Sequence, residues 1–156
     1  MIDKDGYRAN VAIVLLNSRN RLFWGQRKNR TSWQFPQGGV NPNETPLQAM
    51  YRELYEEVGL RPHDVEVVAS TRDWFVYDIP ESLVRKNKPC CIGQKQKWFL
   101  LKLKSSDQNI DLEANETPEF DNWRWVSYWY PINHVVYFKQ DVYKKALTYF
   151  KDYIER

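Results

Sequence analysis

Glu53, Glu56 and Glu57 stand close together inside the stretch Gly38–Leu60, GGVNPNETPLQAMYRELYEEVGL. At about 100° per helical residue, with Glu53 at zero, Glu56 falls at about −60° and Glu57 at about +40°. The three carboxylates therefore share one face. Leu47, Met50, Tyr51, Leu54 and Val58 fall between about 60° and 160°, which defines the buried face. Like charges three and four apart repel by about 0.2–0.5 kcal/mol each on an exposed helix. Arg52 can offset part of this through Glu56, its i+4 neighbour. The cluster is either a solvated glutamate face or a cation site. Oxygen-only, multiply charged donors suit Mg²⁺ or Mn²⁺ rather than zinc. His63 and His134 stand at no spacing that would add a ligand.

The element that must carry these acids is well marked. Thr45 can cap a helix running to Gly59, with Pro46 at its first position and Gln48 completing a capping box. Gly59 supplies a left-handed stop. Around it, Tyr7–Leu16 predicts a buried strand through Val11-Ala-Ile-Val-Leu-Leu. Asn17–Asn20 predicts a turn and Arg21–Gln26 a partner strand. Ser32–Gly39, with Pro36 and Gly38-Gly39, predicts irregular backbone. Val65–Tyr77 and Gln94–Leu103 predict strands, with the basic Pro80–Gly93 connection between them. The acidic stretch beyond predicts a loop with at most a short strand. Trp123–Val126 predicts a short strand, Tyr128–Val136 a helix with Pro131 in its first turn, and Asp141–Ile154 a C-terminal helix. The fold class is α/β, a mixed sandwich.

Length and composition narrow the class. The chain has 156 residues, so one domain spanning 1–156 is expected. It is 42% hydrophobic and 28% charged, values of an ordinary globular protein with enough chain to bury a core. Val11–Leu16 is far short of a membrane span, and the N-terminus lacks a signal-peptide pattern. Adjacent Cys90 and Cys91 supply neither a disulfide framework nor a closed zinc site, so a reducing, cytoplasmic setting is expected. No heptad or apolar stripe demands a partner, so a monomer is expected.

The net charge of +3 is uneven. Residues 105–123 hold six acids and no Lys or Arg, leaving 23 basic against 14 acidic residues elsewhere. A basic surface favours polyphosphates or nucleic acid. The 24 aromatic residues, seven Trp, ten Tyr and seven Phe, leave rings to spare for stacking on bases. Trp123, Trp125 and Trp129 are assigned to core or interface rather than to a stacking platform.

From Gly38 through Glu44 to Arg52-Glu53-Leu54-Tyr55-Glu56-Glu57-Val58-Gly59-Leu60, the chain matches the Nudix box at every defined position. It resembles the Nudix hydrolases. The resemblance implies an α/β/α sandwich with a mixed sheet, and hydrolysis of a nucleoside diphosphate linked to another group. Asp3–Asn10, Ser32–Gly39, Ile92–Leu101, Pro118–Pro131 and Val135–Tyr143 further resemble the bacterial RNA 5′-pyrophosphohydrolase branch. That branch removes pyrophosphate or phosphate from tri- or diphosphorylated RNA 5′ ends, which triggers mRNA decay. Close relatives hydrolyse dinucleoside polyphosphates such as diadenosine tetraphosphate and share most of these motifs. A binding module without catalysis is the third reading, disfavoured by the intact glutamate set. The Pro80–Gly93 connection, with Cys90 and Cys91, matches less well.

Carried over residue by residue, the resemblance implies that Glu53, Glu56 and Glu57 hold Mg²⁺ or Mn²⁺. Arg52 would orient them, and Gly38 would shape the loop entering the helix beside the metal. Glu119 would be a further ligand from across the cleft. The general base varies within the family; Glu57 is the first candidate for it. Arg8, Arg27, Ser32, Gln94, Lys95 and Lys97 are candidates for phosphate contact. In a strand, Lys95 and Lys97 face one way and Gln94 the other, so these cannot all line one cleft. Val136, Phe138 and Lys139 would hold a base, the first two as a sandwich and Lys139 on its edge, with Tyr77 a further candidate.

Overall fold

The computed structural model describes residues 2–84 and 91–154. Eight strands are present among them: β1 (Tyr7–Leu16), β2 (Leu22–Arg27), β3 (Trp33–Gln34), β4 (Gln37–Gly39), β5 (Val65–Ser70), β6 (Phe75–Asp78), β7 (Gly93–Leu103) and β8 (Phe120–Val126). Two α-helices, α1 (Pro46–Val58) and α2 (Gln140–Phe150), complete the frame.

Strand β1 lies at the centre. Ala9, Val11, Ile13 and Leu15 pack with Ala49, Met50, Leu54 and Val58 of α1. Ala12, Val14 and Leu16 pack on the other face with Val142, Tyr143, Ala146, Leu147 and Phe150 of α2. A strand buried on both faces requires an unbroken apolar run, which Val11–Leu16 provides. β1 runs parallel to β7, from Tyr7 opposite Gly93 to Leu16 opposite Lys102. Every other pairing between named strands is antiparallel. The sheet is therefore mixed, with one helix on each face, as expected of an α/β/α sandwich.

β7 alternates in the same way. Trp98 and Leu100 face α2, and Phe99 and Leu101 face α1. The same alternation sends Gln94 and Gln96 toward α2 and Lys95 and Lys97 toward α1.

Several expectations are corrected. Ser32–Gly39 is not irregular throughout: β3 pairs with β2 and β4 pairs with β1. Pro36 lacks a donor, and Gly38-Gly39 carries little strand propensity, so the sequence concealed both pieces. Val65–Tyr77 is two strands that share the long β7 between them, β5 on its later residues and β6 on its earlier ones. Thr71 marks the break, its hydroxyl accepting from the Trp98 backbone N–H at 3.0 Å. Tyr128–Val136 is not an α-helix but a single 3₁₀ turn at Tyr130–Asn133. The C-terminal helix starts at Gln140 and gives way to a 3₁₀ turn, Lys151–Tyr153. β8 begins at Phe120, earlier than expected, because its pairing extends down β2 as far as Arg27. Leu47 is 46% exposed, since it precedes Ala49, the first residue of α1 to reach the sheet. Residues 85–90, Cys90 among them, lie outside the described residues.

Candidate active site

The ends of α1 are fixed as the sequence dictates. The Thr45 hydroxyl accepts from the Gln48 N–H at 3.1 Å, and the Gln48 side chain accepts from the Thr45 N–H at 2.9 Å. Gly59 stops the helix with φ +78°. Within this frame Glu53 and Glu57 turn inward and are buried, although both are acids. Glu56 stays at the rim.

Glu53 reaches its place because Gly38 has no side chain. A Cβ at position 38 would stand 2.0 Å from the Glu53 carboxyl carbon. Gly38 thus sits in β4 against the carboxylate, not in a loop entering the helix, which corrects the sequence expectation. Arg52 grips the cluster from outside. It donates to Glu53 at 2.6 Å, Glu56 at 3.2 Å and the Gly39 carbonyl at 2.7 Å. It also binds both oxygens of Glu44, at 2.8 and 2.9 Å. That network, led by Glu44, raises the Arg52 pKa further above its usual value.

Glu57 is less well compensated. It accepts from the Gln37 backbone N–H at 3.1 Å, and its charge is felt together with that of Glu53. Burial pushes its pKa well above the carboxylate range, and the charges of Glu53 and Glu119 add to the shift. Burial also raises Glu53, against the pull of Arg52. Among the described residues no three acids converge as a preformed metal cage. Two carboxylates do converge, and Mg²⁺ typically takes one or two carboxylates and completes its shell with water and substrate phosphate. The donor set therefore fits such a cation.

A second cluster lies on the α2 face. Lys139 is buried, and its ammonium donates to the side-chain oxygens of Gln34 at 3.0 Å and Gln37 at 3.2 Å. Burial, aided by the charge of Arg27, pulls its pKa down to about 8. The Gln37 amide donates to the Tyr77 hydroxyl at 3.4 Å. Tyr77 is paired with Gln94, and Gln94 with Arg8, across three adjacent strands. Phe138 packs its ring 6.0 Å from that of Tyr77. Three buried polar atoms in this region, Gln94 Oε1, Gln96 Oε1 and Arg27 Nε, have no hydrogen-bond partner among the described residues. Buried polar atoms are rarely left unsatisfied in a native fold, so such a group points to a ligand.

The structure thus assembles Arg8, Gln94, Tyr77, Phe138 and Lys139 on one side of the sheet. Arg27 approaches Glu119 at 3.6 Å, and the Glu119 carbonyl accepts from the Lys28 N–H, which ties the β8 entry to the site. Ser32 is half-buried and its carbonyl accepts from the Arg27 N–H at 2.9 Å. Val136 is partly exposed beside Phe138. Lys95 and Lys97 are not in this group. Lys95 pairs with Asp3 at 3.1 Å, Lys97 donates to the Arg72 carbonyl, and both ammonium groups lie over the Trp74 ring.

Trp123 stacks on Phe23 at 5.5 Å and Trp125 abuts Trp123, consistent with core packing, while Trp129 is exposed. Sequence reasoning missed Gln34 and Gln37. Their only signal was position, one on each side of Phe35-Pro36 beside the diglycine. The corner they share is anchored by α2: the buried Tyr143 hydroxyl accepts from the Phe35 N–H at 3.0 Å, and the two rings stack at 4.7 Å.

Comparison with known proteins agrees with this geometry. The NUDIX domain family model matches residues 6–146. An RNA pyrophosphohydrolase of Francisella philomiragia subsp. philomiragia is 83% identical over 154 residues, 99% of each chain. The solved dihydroneopterin triphosphate pyrophosphohydrolase of E. coli superposes with a TM-score of 0.72 at 19% identity, covering 92% of this chain and 98% of that one. An Ap4A hydrolase of C. elegans gives 0.68 at 18% identity, covering 93% and 98%. The two structures share the fold; family models and close relatives establish more, and the chain belongs to the NUDIX hydrolase family.

Proposed function

We propose that this protein is an RNA 5′-pyrophosphohydrolase, converting tri- or diphosphorylated RNA ends to 5′-monophosphates and so initiating mRNA decay. The observation that carries the reading is full-length identity of 83% to an RNA pyrophosphohydrolase. The geometry supports it: a buried carboxylate pair for phosphate chemistry lies beside a ring-and-lysine cluster suited to a base. We further infer a cytoplasmic, single-domain monomer. Among the described residues no helix is long and apolar enough to cross a membrane.

In this reading Glu53, Glu57 and the rim residue Glu56 hold Mg²⁺ or Mn²⁺, with Glu119 contributing from the β8 side. The bound cation supplies charge neutralisation at the phosphate oxygens and acidifies the attacking water. Arg52 keeps Glu53 and Glu56 oriented through its hold on Glu44. Glu57, held beside Glu53 by the Gln37 backbone N–H, takes the proton of the attacking water. Arg8, Arg27 and Gln94 face the polyphosphate. Tyr77, Val136 and Phe138 flank a base, and Lys139 donates to its edge. Each charge left in short supply by the fold is then completed by substrate or cation.

The test is a competition assay in Mg²⁺ with equal amounts of 5′-triphosphorylated RNA, its diphosphorylated form and diadenosine tetraphosphate. The reading predicts a higher kcat/KM for RNA ends. Preference for the dinucleotide would move the function to small-molecule hydrolysis. No turnover of any substrate, with Mn²⁺ also tried, would leave a binding module.

A further inference from the structure

Tyr137 takes no part in the contacts described so far. It is 70% exposed, the highest value for a large apolar side chain among the described residues. Its backbone is nevertheless firmly held. It lies in the 3₁₀ turn Tyr137–Lys139, closed by the Lys139 N–H donating to the Val136 carbonyl at 3.0 Å. The turn is pinned from below by the buried Lys139 ammonium on Gln34 and Gln37. The Tyr137 ring stands nearly perpendicular to the Phe138 ring, at 5.5 Å and 86°, and most of it is open to solvent.

The contacts form a line leading out of the site. Glu57 binds Gln37, Gln37 binds Tyr77 and Lys139, the Tyr77 ring meets Phe138, and Phe138 meets Tyr137. Exposure of the rings rises along it, from buried Tyr77 through half-buried Phe138 to exposed Tyr137. Tyr137 stands outside Phe138 on this line, next in order for a chain that continues beyond a base held there. A rigidly mounted, solvated ring beside a base site is what single-stranded nucleic acid uses for stacking, which tolerates any base.

We propose that Tyr137 is a stacking platform for a nucleobase downstream of the base held at Phe138, so that it favours longer RNA over short phosphorylated ends. This rests on the RNA reading above. The experiment compares kcat/KM on a 5′-triphosphorylated tetranucleotide and on the dinucleotide sharing its first two bases. Wild type is expected to favour the tetranucleotide by roughly five- to a hundredfold, the range of one stacked base. In Tyr137→Ser that ratio falls toward one, whereas Tyr137→Phe keeps it. Tyr153→Ser, at a half-exposed ring beyond α2, keeps the wild-type ratio. An unchanged ratio in Tyr137→Ser, or an equal fall in Tyr153→Ser, overturns the platform alone. Failure of wild type to hydrolyse either RNA overturns the RNA reading and the platform with it.

Discussion

The molecule buries charge in two neighbouring places and treats them differently. At α1 two acids, Glu53 and Glu57, face each other, and one guanidinium compensates only the outer one. At the 3₁₀ turn before α2 one ammonium, Lys139, is held by two neutral amides. The first place is short of positive charge and the second of negative charge. Burying an ion without its counter-ion costs several kcal/mol, so neither arrangement serves stability. In the proposed function a cation enters the first, and the electron-rich edge of a base or phosphate enters the second. Gln37 joins them, its backbone on Glu57 and its side chain on Lys139.

The largest effect expected follows from the acidic side. Glu57→Gln removes the uncompensated charge and should lower kcat by about 10²–10⁴-fold while the fold persists. A kinetic comparison with circular dichroism checks this; full activity would remove Glu57 from the site. Next comes Gly38→Ala. Its Cβ would displace the Glu53 carboxylate, and misplacement of this kind can cost about 10²-fold in rate. An unchanged kcat would mean that Glu53 position is unimportant.

The basic side makes a prediction in pH. The Lys139 pKa is about 8 in the fold and near 10.4 in the unfolded chain. Between those values the unfolded state binds more protons, so stability rises with pH. Wild type should therefore gain about 2–3 kcal/mol relative to Lys139→Met between pH 8 and 10.5. Denaturant melts at both ends of that window measure it, and parallel pH curves would contradict a buried ammonium.

The corner that carries Gln34 and Gln37 gives a smaller effect. Tyr143→Phe strands the Phe35 N–H and should cost about 1–3 kcal/mol in unfolding free energy. Smallest of all is Lys95→Ala. The Asp3 pair lies at the surface, where ion pairs add little, and RNA hydrolysis should change by less than about threefold. A large loss of RNA activity would return Lys95 to the phosphate site.

The same contrast explains what could be read from the sequence. The acidic side lies almost entirely on one helix, so helical spacing brings Glu53, Glu56 and Glu57 together and Arg52 to Glu56. Caps at Thr45 and Gly59 are local chemistry and were equally legible. The basic side draws on four separate segments: Gln34 and Gln37, Tyr77, Gln94 and Lys139. Strand pairing and the packing of the turn before α2 bring these together, and no spacing along the chain encodes either. Alternation in β7 did separate Gln94 from Lys95 and Lys97, but which face met the site awaited the position of α2. Gly38 was misread for a related reason, because its neighbour Glu53 comes from another element.

The most direct test of the two-sided account is a Mn²⁺ titration followed by electron paramagnetic resonance on wild type, Glu57→Gln and Lys139→Met. The account predicts that Glu57→Gln loses the Mn²⁺ site and that Lys139→Met keeps it. Equal Mn²⁺ affinity in wild type and Glu57→Gln would contradict it.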